Sequence, residues 1–309
     1  MLTIHVIDVS EELFARVSDQ PIDLCYQLFG NPADEPLLLV MGLGGPMTWW
    51  DEDLCARLAS LGFYVVRYDN RDTGRSTKLT ERVSRTSLVR AFAGRRVDAV
   101  YGLDDMARDA LGLMDHLGWE SAHVVGASMG GMIAQTMALL APERVRSLTS
   151  IMSTTGQRNV GWQHPRLIPT LLAPRGPGRR AYVEASATLW KLIGSPGFPQ
   201  DHATHASRAE ETYDRGFSAQ GVLRQMLAVV TQPNRTKALG QLRIPTLVIH
   251  GTKDKMVHPS GGRATAAAIP GAELVLIDGM GHDLPPQLFA RIAEDVRLVA
   301  DRAKTAEAS

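Results

Sequence analysis

A serine sits between two glycines in Gly126-Ala127-Ser128-Met129-Gly130, the spacing G-x-S-x-G. The apolar run Ala122-His123-Val124-Val125 before it reads as a strand, and Met129–Leu140 after it reads as a helix. Strand, tight turn and helix in that order are the setting of a nucleophile elbow. Side chains two residues either side of such a serine would collide within the turn, which accounts for the glycines. The helix start beneath the hydroxyl offers backbone N–H groups and a positive dipole end to a developing oxyanion. A surface serine on a glycine-rich helix start is the bland alternative, and the strand–turn–helix context argues against it.

A serine hydroxyl needs a base near neutral pH. Nine histidines compete for that role. His282 stands apart because Gly279-Met280-Gly281-His282 follows the last β-type run, and parallel sheets place their active sites beyond the carboxyl ends of their strands. A carboxylate should orient the imidazole. Asp254, just past the run Thr246–His250, occupies another strand end, whereas Asp278 and Asp283 lie too close in sequence to His282 to sit opposite its ring. The resulting order is Ser128, Asp254, His282. Two N–H donors are expected for the oxyanion: that of Met129, and that of Leu43 in the loop Met41-Gly42-Leu43-Gly44-Gly45. Gly42 would let that loop turn inward. No G-K-[ST] follows these glycines, which removes the nucleotide-loop reading.

The elements that must position these residues are legible as short apolar runs. They are Leu37–Val40, Tyr64–Tyr68, His123–Val125, Leu148–Met152, Thr246–His250 and Glu273–Ile277. Runs without in/out alternation suit strands covered on both faces. Helical spacing of apolar residues recurs between them, at Asp51–Leu61 and Met106–Leu117. The alternation predicts an α/β fold with a mostly parallel, doubly wound sheet of about eight strands. Leu2–Val9 and Asp23–Phe29 are expected to form an antiparallel edge hairpin, and the tail after Ala300 to fray. The pattern breaks between 157 and 240, where eleven Lys/Arg face five Asp/Glu among scattered Pro and Gly. A structureless loop of that length is improbable, so residues 157–240 are expected to be an inserted helical cap on a core of 1–156 and 241–309.

Composition narrows the function classes. The 33 Lys and Arg balance the 33 Asp and Glu, so a nucleic-acid partner is not expected. No apolar run approaches the roughly 20 residues that cross a bilayer, and the acidic start lacks the features of a secretory signal. Two cysteines, Cys25 and Cys55, make neither a disulfide framework nor a metal quartet. The expectation is a soluble cytoplasmic protein without metal or cofactor, as monomer or homodimer.

With those residues assembled, LLLVMGLGG, RYDNRDTGRS, HVVGASMGGMIAQ, PTLVIHGTKD and GMGH resemble the α/β-hydrolase superfamily over nearly the whole chain. The combination of VMG, RYDNRDTGRS and GMGHDLP is similar to the aclacinomycin methylesterase group. That resemblance implies a carboxylic-ester hydrolase acting on a small-molecule ester through a covalent acyl-serine, with a helical cap and no cofactor. Met41-Gly42 stands where many relatives carry His-Gly, a change that leaves the backbone donor in place. Acyl transfer, amide cleavage, perhydrolysis and C–C hydrolysis use the same residues and stay open, as does non-catalytic ligand binding. Gly42, Trp49, Trp162 and Trp190 are candidates for the substrate pocket; Trp49 and Trp50 could equally line a pocket wall or anchor the first helix. Asp69, Arg71, Asp72 and Arg75 are expected to tie their loop together through local ion pairs.

Overall fold

Apolar surface on both sides of the sheet explains the unbroken strand runs. The computed structural model describes residues 7–18, 21–167, 170, 176 and 178–307. Eight strands form one sheet: β1 (Leu13–Arg16), β2 (Asp23–Phe29), β3 (Glu35–Val40), β4 (Phe63–Tyr68), β5 (Ala122–Ala127), β6 (Val145–Ile151), β7 (Thr246–Gly251) and β8 (Glu273–Ile277). Their order is β1-β2-β4-β3-β5-β6-β7-β8. β2 runs against both its neighbours, and the pairings from β4 to β8 are parallel. The helices before β6 are α1 (Glu52–Ser60), α2 (Arg85–Phe92), α3 (Leu103–His116) and α4 (Met129–Leu140). Alternate residues of one strand serve opposite cores. Leu38, Val40, Val66 and Val124 meet Met106 and Leu113 of α3 and Ile133 and Met137 of α4. Leu37, Leu39, Val65 and Val125 meet Leu54 and Leu58 of α1 on the other face.

Between β6 and β7 the chain forms α5 (Arg179–Ile193), α6 (His202–Asp214), α7 (Ala219–Thr231) and the short α8 (Thr236–Leu239). Most of the Pro- and Gly-rich stretch 168–177 lies outside the described residues. After β7 come α9 (Ser260–Ala268) and α10 (Phe289–Glu307). The last helix corrects the frayed-tail expectation. It runs to Glu307 because Val299, Ala300 and Ala303 are buried and Arg302 reaches Glu273. The edge hairpin also differs from expectation. β2 forms as read, but its partner is β1, in register Leu13↔Tyr26 to Arg16↔Asp23, and Val9 makes one bridge to Phe29. Residues 2–6 of the expected strand lie outside the described residues. The physical reason is Ala15, buried at 1% exposure beneath α3, which the four-residue strand supplies and no long apolar run announces.

The ion pairs of the loop after β4 are not local. Asp69 pairs with Arg215 (2.8 Å) and Asp72 takes Arg224 through two hydrogen bonds of 2.7 Å. Arg71 takes Asp109 of α3 and Arg75 takes Glu12. Arg215 and Arg224 belong to the helical segment between β6 and β7, so this loop is where that segment docks. Among the described residues no helix is long and apolar enough to cross a membrane.

Candidate active site

The turn from β5 into α4 holds Ser128 at φ +56°, ψ −120°, a left-handed conformation that side chains rarely adopt. Strain of this kind persists only where surrounding structure fixes it. Here Ser128 N–H donates to Ile151 O (2.9 Å), and Ser153 Oγ donates to Ser128 O (2.8 Å). The glycines are required sterically. A Cβ on Gly126 would strike the Gly130 carbonyl, and one on Gly130 would strike the Val40 carbonyl of β3.

The Ser128 hydroxyl lies 3.0 Å from His282 Nε2, and His282 Nδ1 lies 2.7 Å from Asp254 Oδ2. Nδ1–H donating to the carboxylate leaves Nε2 free to accept the serine proton. Asp254 is fully enclosed. Its Oδ1 accepts from the N–H groups of Met256 (2.8 Å) and Val257 (2.9 Å), and His250 Nε2 stands 3.4 Å from Oδ2. Burial alone would raise its pKa. The charge of His282 and hydrogen bonds from His250 and His282 outweigh burial and hold it down at about 2. Asp254 therefore stays ionised beside the ring.

Asp283 and Asp278 have other hydrogen-bond partners than the ring. Asp283 is buried and accepts from Ser195 Oγ, and burial pushes its carboxyl up. Asp278 accepts from Thr252 Oγ1 (2.8 Å). The histidine loop is gripped by the insertion: His282 N–H donates to Ile193 O (2.7 Å), and Gly281 N–H to Ser195 Oγ (2.8 Å).

Leu43 and Met129 both line a cavity that reaches Ser128 and His282. Within the described residues the N–H groups of Leu43 and Met129 donate to no protein acceptor. Gly42 lets the loop touch the serine, since a Cβ there would stand 3.1 Å from Ser128 Cβ. The cavity measures about 270 Å³. Trp49 and Trp190 line it, packed edge to face at 5.1 Å, and Trp49 Nε1 donates to Thr212 Oγ1 of α6 (2.9 Å). Met132, Met152, Tyr182 and Phe217 add flexible and aromatic surface. Trp162 is not among the residues that line the cavity, although Gln163 beside it is; it is 45% exposed and stacks on His258 at 4.2 Å, on a loop drawn to the α9 start by Gly161 N–H donating to Ser260 Oγ (3.0 Å). Trp50 is fully buried against Leu54 and Leu58 of α1, which settles its role as an anchor.

Sequence reading missed His250, Ser195, Gln225 and both insertion arginines. His250 lies within the run PTLVIHGTKD, four residues before its partner Asp254, whereas each of the others acts through a partner brought close only by the fold.

A serine turn of this geometry, at the carboxyl end of a mostly parallel sheet with histidine and aspartate on later strand ends, defines a class of protein. The family model described as alpha/beta hydrolase fold matches residues 35–286, and the chain belongs to that family. Among curated relatives, the chain is 31% identical over 274 residues to rhodomycin D methylesterase DauP of Streptomyces sp. (strain C5), covering 81% of this chain and 85% of the relative. It is 29% identical to the putative carbamate hydrolase RutD of Pseudomonas syringae pv. syringae (strain B728a), covering 80% and 86%. Among solved structures it is similar to the meta-cleavage product hydrolase of Pseudomonas fluorescens IP01, with a TM-score of 0.72 at 20% identity over 96% of this chain and 98% of that one. At that identity the likeness speaks for the fold.

Proposed function

We propose that this hydrolase cleaves a carboxylic ester through a covalent acyl-Ser128 intermediate. The observation that carries the reading is the unbroken relay from Ser128 Oγ through His282 to Asp254, at 3.0 and 2.7 Å. In this reading Ser128 Oγ attacks the ester carbonyl while His282 Nε2 takes its proton. The tetrahedral oxyanion accepts hydrogen bonds from the N–H groups of Leu43 and Met129. The C–O bond to the alcohol then breaks, and the alcohol leaves with the proton from His282. Water, deprotonated in turn by His282, attacks the acyl carbonyl and releases the acid and free Ser128. Asp254, held ionised, keeps the ring in the required tautomer and stabilises the imidazolium. Residues 157–240 act as a cap that supplies Trp190, Tyr182 and Phe217 to the pocket and decides which acyl parts fit beside Ser128.

The methylesterase relatives favour a methyl ester of a bulky acid, and the apolar lining of the cavity suits such an acyl part. The relatives named as putative carbamate hydrolases keep carbamates as the second reading. A panel of p-nitrophenyl esters of rising acyl length, methyl esters of bulky acids and matched carbamates tests both. Ester turnover that vanishes in Ser128→Ala supports the proposal. Carbamate turnover alone, or ester turnover surviving in Ser128→Ala, overturns it.

A further inference from the structure

One side chain of the insertion reaches the loop that carries the Leu43 N–H. Gln225, in the middle of α7, is fully buried. Its Oε1 accepts from Gly44 N–H (2.8 Å), while Nε2 donates to Arg71 O (2.8 Å) and to Thr73 Oγ1 (2.8 Å). The amide is therefore satisfied at both ends and ties two loops to one helix. The neighbouring Arg224, doubly bonded to Asp72, fixes how that helix is docked.

The peptide planes make the consequence specific. An oxyanion donor must point at one place, so the peptide carrying it has to be fixed before the reaction begins. Asn70 Nδ2 donates to Met41 O (2.9 Å) and fixes the peptide before Gly42. Gln225 fixes the peptide after Leu43, through Gly44 N–H. The peptide between them bears the Leu43 N–H, and its carbonyl, Gly42 O, accepts from Gly45 N–H (3.2 Å). Gly44 itself sits at φ +66°, so the turn depends on that bond and on glycine together.

We propose that Gln225 is a positioning residue for the oxyanion donor, which makes α7 of the insertion part of the reaction machinery. The proposal rests on the ester-hydrolase reading of Ser128 and Leu43. Removing a whole oxyanion donor costs roughly 10²–10³ in kcat, and loosening one costs less. Gln225→Met should lower kcat roughly 10- to 100-fold with KM within about twofold of wild type. Affinity for an aryl boronic acid, which forms a tetrahedral adduct on the serine, should fall by the same factor. Gln220→Met is the control: Gln220, on the same helix, accepts at Oε1 from Val83 N–H (3.0 Å) rather than from the 41–45 loop, so kcat and boronate affinity should hold. Gln225→Asn keeps the amide, falls one carbon short, and serves where Gln225→Met does not fold; it should show the same split to a smaller degree. Unchanged kcat and boronate affinity in the Gln225 variants, or losses that Gln220→Met reproduces, overturn the proposal. A wild-type enzyme that fails to bind the boronate, or turnover surviving in Ser128→Ala, instead overturns the underlying reading of the site.

Discussion

The serine turn and the insertion helices face the same cavity but are fixed on opposite terms. Around Ser128 almost every constraint is backbone: glycines packed against carbonyls, Ser128 N–H on Ile151 O, a helix start beneath the hydroxyl. The insertion is fixed by side chains reaching across more than a hundred residues: Arg215 to Asp69, Arg224 to Asp72, Gln225 to Gly44. Backbone constraints need a contiguous pattern, whereas side-chain constraints need only one residue of the right length in the right place. The first kind can be read from a sequence and the second cannot.

The largest effect should separate two aspartates on the core side of that contrast. Asp254→Asn removes the carboxylate that orients His282, and kcat should fall by several orders of magnitude, near the roughly 10⁴ seen when the orienting carboxylate of a serine protease becomes an amide. Asp283→Asn should cost less than roughly tenfold. Burial already pushes that carboxyl toward its neutral form, and its partner is Ser195 rather than the ring. Steady-state kinetics on one ester decides the order, and the reverse result would move the orienting role to Asp283.

On the insertion side the expected effect is on stability. Arg224 and Asp72 are both almost fully buried, and removing one partner of such a pair costs roughly 3–5 kcal/mol. Arg224→Met should show that loss in urea unfolding, while Ser128→Ala should leave the unfolding free energy within about 0.5 kcal/mol of wild type. Equal stability of the two variants would mean that the insertion is held by apolar contacts instead.

The sequence carried the strands, the serine turn and the order of the three polar residues because each depends on local pattern. The helical stretch Asp51–Leu61 and the six apolar runs fall where their residues predict. The loop Asp69–Arg75 shows where reading fails. Its charges were visible, but the sequence offered nearby partners and the fold supplied distant ones. Trp162 and Trp190 are alike as residues, and only α5 carrying Trp190 over the cavity separates them.

A smaller effect tests the core alone. His123 of β5 is buried, accordingly depressed from 6.5 to about 4, with Glu35 opposing the shift. The unfolded chain takes up this proton first, so its contribution to stability is complete above pH 6.5 and declines as pH falls toward 4. Wild type should lose up to about 3 kcal/mol over that interval from this group. His123→Gln should flatten that part of the profile. An unchanged slope would show that other groups set the acid lability.

The most direct test of the central claim is intact-mass spectrometry followed by peptide mapping after treatment with an organophosphate, which transfers its phosphoryl group to an activated serine. One adduct per chain on Ser128, absent in Ser128→Ala and greatly slowed in Asp254→Asn, is the result expected of the Ser128–His282–Asp254 relay. Stoichiometric labelling at another residue, or no labelling of an enzyme that turns over ester, would contradict it.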